Sequence, residues 1–204
     1  MIKTNSELRK SAMASLSGRW TEPVLAYAAY AAMVGVASAL PGVSFVSVLI
    51  TLPLFYGVSL IFLNHFRLSS YEAKVTDLFV GFKDYERIFV TLLLQTIYTI
   101  LWSFVFVVPG IIKGLSYAMT PYILADEPEL KNNGAIEKSM AMMKGYKMKL
   151  FLMCLNFAMW SFLSLFTFGI LLLWVIPYCL TTLAAFYEDV KANYESNNVV
   201  IITA

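Results

Sequence analysis

Apolar residues in this chain come in long runs rather than in strict alternation. Six runs read as membrane spans: Pro23–Leu40, Ser44–Asn64, Ile88–Val108, Gly110–Ala125, Leu150–Phe166 and Ile170–Phe186. A helix needs about 20 apolar residues to cross the hydrocarbon core. The last three runs are shorter, which predicts tilt or local thinning of the bilayer. The spans fall in pairs joined by tight turns, at Pro41-Gly42-Val43, Pro109-Gly110 and Thr167-Phe168-Gly169. Proline and glycine end one helix and start the next at such points. The pattern predicts helical hairpins.

Each hairpin follows a more polar, amphipathic segment. These are ELRKSAMASLSGRW, YEAKVTDLFVGFKDYERIF and AIEKSMAMMKGYKMKLF. The chain therefore reads as three copies of one unit, about 5–66, 70–127 and 134–190, in a single membrane domain over 1–190 with a polar, mobile tail over 191–204. Residue identity between copies is weak; Gly42, Gly110 and Gly169 recur at the turns, and Pro53, Pro121 and Pro177 in the second helix of each pair. The repeat rests on the recurring order of helix, span, turn and span. An even number of spans returns each unit to the same side, so the copies are parallel, about an axis along the membrane normal. The plainer reading is that hydrophobic hairpins resemble one another.

Thr4-x-x-Glu7 and Ser69-x-x-Glu72 match the capping-box pattern. In the second segment Tyr71, Val75, Leu78, Phe79 and Phe82 share one helical face. In the third, Ile136, Met140 and Met143 do so. Such helices lie in the membrane interface with the apolar side down, or cap the bundle from below.

Composition agrees with the pattern. Hydrophobic residues make up 59% and charged residues 14%, against roughly 45–50% and 25% in soluble domains. A chain this size cannot hide that much apolar surface from water. A soluble enzyme, a disordered tail, a coiled coil and a disulfide scaffold are excluded. The net charge of +2 does not suggest nucleic acid, which needs a basic face. No apolar run precedes Trp20, so no cleavable signal peptide is expected. All but one of the 15 Lys and Arg residues fall before the first span, in the two long loops, or after the last span. The positive-inside rule places both termini and both long loops in the cytoplasm of an inner-membrane protein.

Candidate chemistry is sparse. No span contains Asp or Glu, which argues against a proton-coupled carrier and a carboxylate cation site. Lys113 is the only charge within a span. It either snorkels to the outer interface or binds a lipid phosphate or other anion there. Lys144, Lys147 and Lys149 lead into the fifth span and form a second candidate contact for anionic lipid. Gln95 and Asn156 are the polar amides inside spans, at matching positions of two units. They either share hydrogen bonds or line a polar pocket. His65 alone cannot make an ordinary zinc site, and no metal, cofactor or catalytic set is expected. Cys154 and Cys179 lie in apolar runs and read as packing residues. The stripes Ala31-xxx-Gly35-xxx-Ala39 and Gly110-xxx-Gly114-xxx-Ala118 favour close helix approach, either within the chain or in a homo-oligomer.

The segments PGIIKGLSYAMTPYILADEP, AIEKSMAMMKGYK, TFGILLLWVIPY and AAFYE carry a resemblance. The chain resembles, from about Glu7 to Glu188, a bacterial family of uncharacterised integral membrane proteins, domain of unknown function 975. That family is distantly similar to the membrane part of glycerophosphodiester phosphodiesterases. The resemblance is densest after Pro109, including Lys113, Tyr122, Pro128, Ser139, Trp174 and Glu188. The family often has serine at the position of Ala118 and tends to a second glycine near Leu172, so neither is essential here. The resemblance implies a multi-span α-helical protein and brings no reaction, cofactor or catalytic residue.

The expectation is an all-α, polytopic bundle of six transmembrane helices with cytoplasmic amphipathic helices. Its function is expected to be non-enzymatic, through contacts with membrane lipids, a membrane protein partner or a second copy of itself. The alternatives are a small transporter or exporter component with a polar pathway around Gln95 and Asn156, and a lipid-modifying enzyme with an unusual site.

Overall fold

The computed structural model of the chain describes residues 2–39 and 44–203. The predicted turn Pro41-Gly42-Val43 lies outside the described residues. Those residues contain helices and no strand. In chain order the helices are α1 (Asn5–Leu16), α2 (Thr21–Ala39), α3 (Ser44–Arg67), α4 (Tyr85–Val105), α5 (Val107–Tyr117), α6 (Thr120–Asp126), α7 (Asn133–Met142), α8 (Lys147–Leu163) and α9 (Leu172–Thr203). Short 3₁₀ segments cover Val75–Phe82 and Ser164–Thr167.

Among the described residues four helices are long and apolar enough to cross a membrane: Thr21–Ala39, Ser47–Arg67, Tyr85–Val105, and α8 with its 3₁₀ extension, Lys147–Thr167. This is consistent with a membrane protein. The fourth and sixth predicted spans take other forms. The fourth is two helices, α5 and α6, broken at Ala118-Met119. Pro121 follows the break and cannot donate to the carbonyl of Tyr117; the Thr120 hydroxyl donates to that oxygen at 2.7 Å instead. The sixth begins at Leu172 and runs to Thr203, through the predicted polar tail. Side chains anchor this extension as helix. Val190 is buried, Lys191 reaches Asp126 at 2.6 Å, and the Tyr146 hydroxyl donates to Asn193 at 3.3 Å.

The hairpin turns also differ in detail. The α4–α5 break is at Phe106, in extended conformation. Pro109 and Gly110 lie inside the first turn of α5, where proline costs little. Gly110 serves packing there: a Cβ would lie 2.2 Å from the Ser103 hydroxyl oxygen of α4. The α8–α9 turn falls at the predicted residues; Phe168 and Gly169 both have positive φ, 51° and 83°, a conformation the sequence signals at the glycine alone.

The segments before the hairpins are not detached interfacial helices. α1 starts with a true capping box. The Thr4 N–H donates to Glu7 Oε2 at 2.6 Å, and the Glu7 N–H donates to Thr4 Oγ1 at 3.3 Å. Its apolar stripe Leu8, Ala12 and Leu16 is fully buried, mostly against α9. Asn5 donates to the Lys149 carbonyl at 3.0 Å, so the helix also lies beside α8. α7, with the Met143 that follows it, buries Ile136, Ser139 and Met143, packing mainly on α4, α5 and α6. The Ser139 hydroxyl donates to the Ser116 carbonyl at 2.8 Å and accepts from the Met119 N–H at 3.2 Å.

The second segment corrects the α-helical reading most. Residues 71–74 are not helical, and Val75–Phe82 is 3₁₀. With three residues per turn, Leu78 and Gly81 share the inward face and Phe79 and Phe82 the exposed one; Val75, at the first position of the segment, is exposed as well. Ser69 and Glu72 therefore form no capping box. Asp77 closes the turn instead, accepting from the Tyr71 hydroxyl at 2.6 Å and the Lys74 N–H at 3.2 Å. The segment runs back along α3. Two glycines allow contact of backbone on backbone: a Cβ on Gly57 would lie 2.1 Å from the Leu78 carbonyl oxygen, and one on Gly81 would lie 2.3 Å from that of Pro53.

The small-residue stripes separate. Gly110 and Gly114 pack on α4 within the chain. On α2 the stripe Ala31, Gly35 and Ala39 is exposed, and a Cβ on Gly35 would meet nothing. The main core centres on α3, α6 and α9, with one face each of α1, α4, α7 and α8 packed on it, and Tyr122 is stacked on Tyr187 at a centroid distance of 5.1 Å. Outside it, α4, α5 and α8 leave a broad apolar surface. It peaks at the hairpin tips, where Phe104 and Phe106 are exposed and Phe168 is 98% exposed.

Candidate lipid-contact sites

Lys113 lies on the exposed side of the α4–α5 hairpin. Its Nζ sits 4.9 Å from the centre of the Trp102 ring, a cation–π distance, and 3.9 Å from Met140 Sδ. It forms no ion pair among the described residues. Tyr98, Trp102, Tyr117, Asn133, Glu137 and Met140 complete a cleft of about 250 Å³ around it. The side chain is therefore turned toward α7, where it shares a cleft with one carboxylate. The arrangement offers a cation, an anion and aromatic walls.

The three lysines before the fifth span have three different surroundings. Lys144 is exposed. Lys147 edges an apolar groove of about 300 Å³ with Val108, Ile111, Leu115 and Phe151. Lys149 is already engaged: it donates to the Lys3 carbonyl, lies 3.7 Å from Asp189, and stands over the Phe186 ring. It ties α1, α8 and α9 together.

Gln95 and Asn156 do not pair. α8 packs on α5, α9 and α1 rather than on α4. Asn156 accepts from the guanidinium of Arg9 on α1, while Gln95 Oε1 is buried with no hydrogen-bond partner. The arginine was hidden from sequence reasoning because it lies in a polar segment that counted as cytoplasmic. Only the folding of α1 alongside α8 brings it to a span.

His65 is fully buried with no hydrogen-bond partner on its ring nitrogens. Its carbonyl accepts from Ser15 at 3.2 Å. Cys154 and Cys179 are free thiols. No group of three His, Cys, Asp or Glu side chains is placed to hold a metal ion among the described residues.

The charged centre is elsewhere, at the polar end of the bundle. Arg67 grips Asp126 and reaches Glu188 at 2.6 Å. Asp126 also accepts from Tyr187 at 2.8 Å and from Lys191. Burial penalises the Asp126 carboxylate, but the bonds from Arg67, Lys191 and Tyr187 outweigh that penalty and hold its pKa well below the usual carboxylate range. Burial and the Asp126 charge push the Tyr187 hydroxyl pKa up. This is a structural clamp between α3, α6 and α9, with every charge already partnered.

No curated protein and no solved structure matches the chain. A family model does match, over just under half of it and starting later than the Glu7 that the resemblance suggests. Residues 104–194, from the tip of the α4–α5 hairpin to the extension of α9, match the family described as "Protein of unknown function (DUF975)".

Proposed function

We propose that this chain is a polytopic, non-enzymatic membrane protein that acts through contacts with lipids, with Lys113 as a headgroup contact. Its six crossings are α2, α3, α4, the broken pair α5–α6, α8 and the apolar first half of α9. The termini and the long loops lie on the cytoplasmic side. The order of packing supports three related units. The second segment, Val75–Phe82, lies on α3 of the first hairpin. The third, α7, lies on α4, α5 and α6 of the second. The first, α1, lies on α9 and α8 of the third. Each unit thus covers its neighbour and the last contact closes the ring.

One observation carries the lipid reading. Lys113 is a half-buried cation on an apolar hairpin, with no ion-pair partner among the described residues and a cleft beside it. Ionisable groups in such places are costly and are kept where they contact a ligand. A lipid phosphate on Lys113 with its chains along the exposed face of α4 and α5 meets both the charge and the apolar surface.

The test is native mass spectrometry of protein purified in mild detergent, before and after delipidation. The expected result is one or two retained phospholipids, lost on delipidation and reduced at least fivefold in Lys113→Ala. A protein that retains no lipid, or retains it equally in Lys113→Ala, overturns the reading.

A further inference from the structure

Arg9 is the second cation that the fold carries to an apolar surface. Asn156, its partner, is the tenth residue of α8, about 13 Å from the start of that helix at 1.5 Å per residue. A guanidinium at such a depth is expensive unless an anion or strong dipoles meet it. The amide of Asn156 satisfies one of its five donors, and no carboxylate forms an ion pair with it among the described residues. The Tyr178 hydroxyl donates to the Arg9 carbonyl at 3.3 Å, which holds this turn of α1 against α9.

Beside Arg9 lies a groove of about 340 Å³ between α1, α8 and α9. Trp20, Phe157, Trp160, Trp174 and Tyr178 line it, so three of the four tryptophans of the chain stand at one groove. Trp160 and Trp174 are about half exposed. Phe157 and Tyr178 meet edge to face at 5.2 Å, so that part of the wall is a packed aromatic pair. The groove is apolar along its length and has one unpaired positive end. That pairing fits an anionic amphiphile: a phosphate accepts from the free N–H groups of Arg9, where guanidinium geometry favours two-point binding, and an acyl chain lies on the indole faces.

We propose that the Arg9 groove is a binding site for one anionic phospholipid of the surrounding bilayer, separate from the Lys113 cleft. It rests on the membrane reading above but on different residues, so the two sites fail independently.

The experiment is tryptophan quenching of the full-length Trp102→Phe variant in mild detergent. This variant leaves only the three groove tryptophans as reporters. Phospholipids brominated on one acyl chain are titrated in, phosphatidylglycerol in one series and phosphatidylcholine in the other. Phosphatidylglycerol is expected to quench saturably, at a mole fraction at least fivefold lower than phosphatidylcholine, with the preference weakening as salt is raised. Arg9→Gln is expected to abolish the preference and Arg9→Lys to keep part of it, while Lys113→Ala leaves it unchanged. Asn156→Ala, which frees a further donor on Arg9, is expected to retain the preference and shows that a loss in Arg9→Gln is not a loss of the α1–α8 contact. Should Arg9→Gln not yield monodisperse protein, the headgroup preference and its salt dependence in the parent decide. Equal quenching by the two lipids, or a preference that survives Arg9→Gln, overturns the proposal.

Discussion

Arg67 and Asp126 meet in a two-pronged ion pair, Nη1 to Oδ1 and Nη2 to Oδ2, each at 2.7 Å. The pair joins the end of α3 to the end of α6, and Glu188 and Lys191 bring in α9. Asp126→Asn keeps the shape and removes the charge, leaving Arg67 and Lys191 facing a neutral amide. We expect a loss of about 1–3 kcal/mol, less than for a fully buried pair because both cations keep some contact with water. Thermal unfolding in detergent, followed by size-exclusion chromatography, measures it.

The same carboxylate sets an acid limit. Its folded pKa lies below the ordinary value of 3.8. A depressed carboxylate contributes stability above its unfolded pKa, and that contribution is lost as pH falls toward the folded one. Stability from this group is therefore level from neutral pH down to about 4 and declines below that. Asp126→Asn is expected to flatten the decline, and a pH series of unfolding curves for the two proteins checks this.

Gly57 and Gly81 permit the contact of Val75–Phe82 with α3, and their neighbours there are backbone atoms. Overpacking of this kind typically costs about 1–3 kcal/mol, so Gly57→Ala and Gly81→Ala each lower the unfolding temperature clearly. Gly35→Ala is the control: its Cβ enters open space on α2, and stability is expected to hold or rise slightly, since alanine favours helix. Unfolding temperatures of the three variants side by side test the distinction.

Tyr85 answers a need that Pro53 creates. Proline at 53 leaves the carbonyl of Leu49 without its helical donor, and the Tyr85 hydroxyl donates to that oxygen at 3.2 Å. Tyr85→Phe removes only this bond, and a loss near 1 kcal/mol is expected. A Pro53→Ala background restores the backbone donor, so the effect of Tyr85→Phe should shrink there. A double-mutant cycle measures the coupling.

The lysines before α8 are expected to separate. Lys149→Ala removes links to Lys3 and Asp189 and lowers stability. Lys144→Ala changes an exposed side chain and leaves stability within about 0.5 kcal/mol. Parallel thermal unfolding of the two variants tells a structural lysine from a surface one.

How much of this was legible from sequence depends on whether the signal was local. The apolar runs of α2, α3, α4 and α8 reach at least the lower end of the crossing length, about 17 residues, so they could be read as spans without tertiary information. The Thr4–Glu7 box and the Ile136, Met140, Met143 face are likewise local, and α1 and α7 follow from them. Val75–Phe82 was misread because its exposed aromatics mimic a helical face; the deciding residues are Gly57 and Gly81, and their meaning lies in another helix. The break at Ala118-Met119 was signalled by Pro121 and concealed by the apolar run around it. Asn156 was picked out for its polarity, but its partner Arg9 lies 147 residues away. Lys113 stood out as the lone charge within a predicted span, whereas its neighbours Met140 and Glu137 come from a segment that sequence placed at the membrane surface.

The central claim is that three hairpins cross the membrane with every charged loop on one side. Side-specific labelling of single cysteines in intact cells tests it most directly. In a chain with Cys154 and Cys179 replaced by serine, Phe168→Cys stands at a hairpin tip and Lys131→Cys in a charged loop. An impermeant maleimide is expected to label Phe168→Cys in intact cells, and Lys131→Cys only after the membrane is opened. Labelling of Lys131→Cys from outside, or of both positions only after opening, would contradict the account.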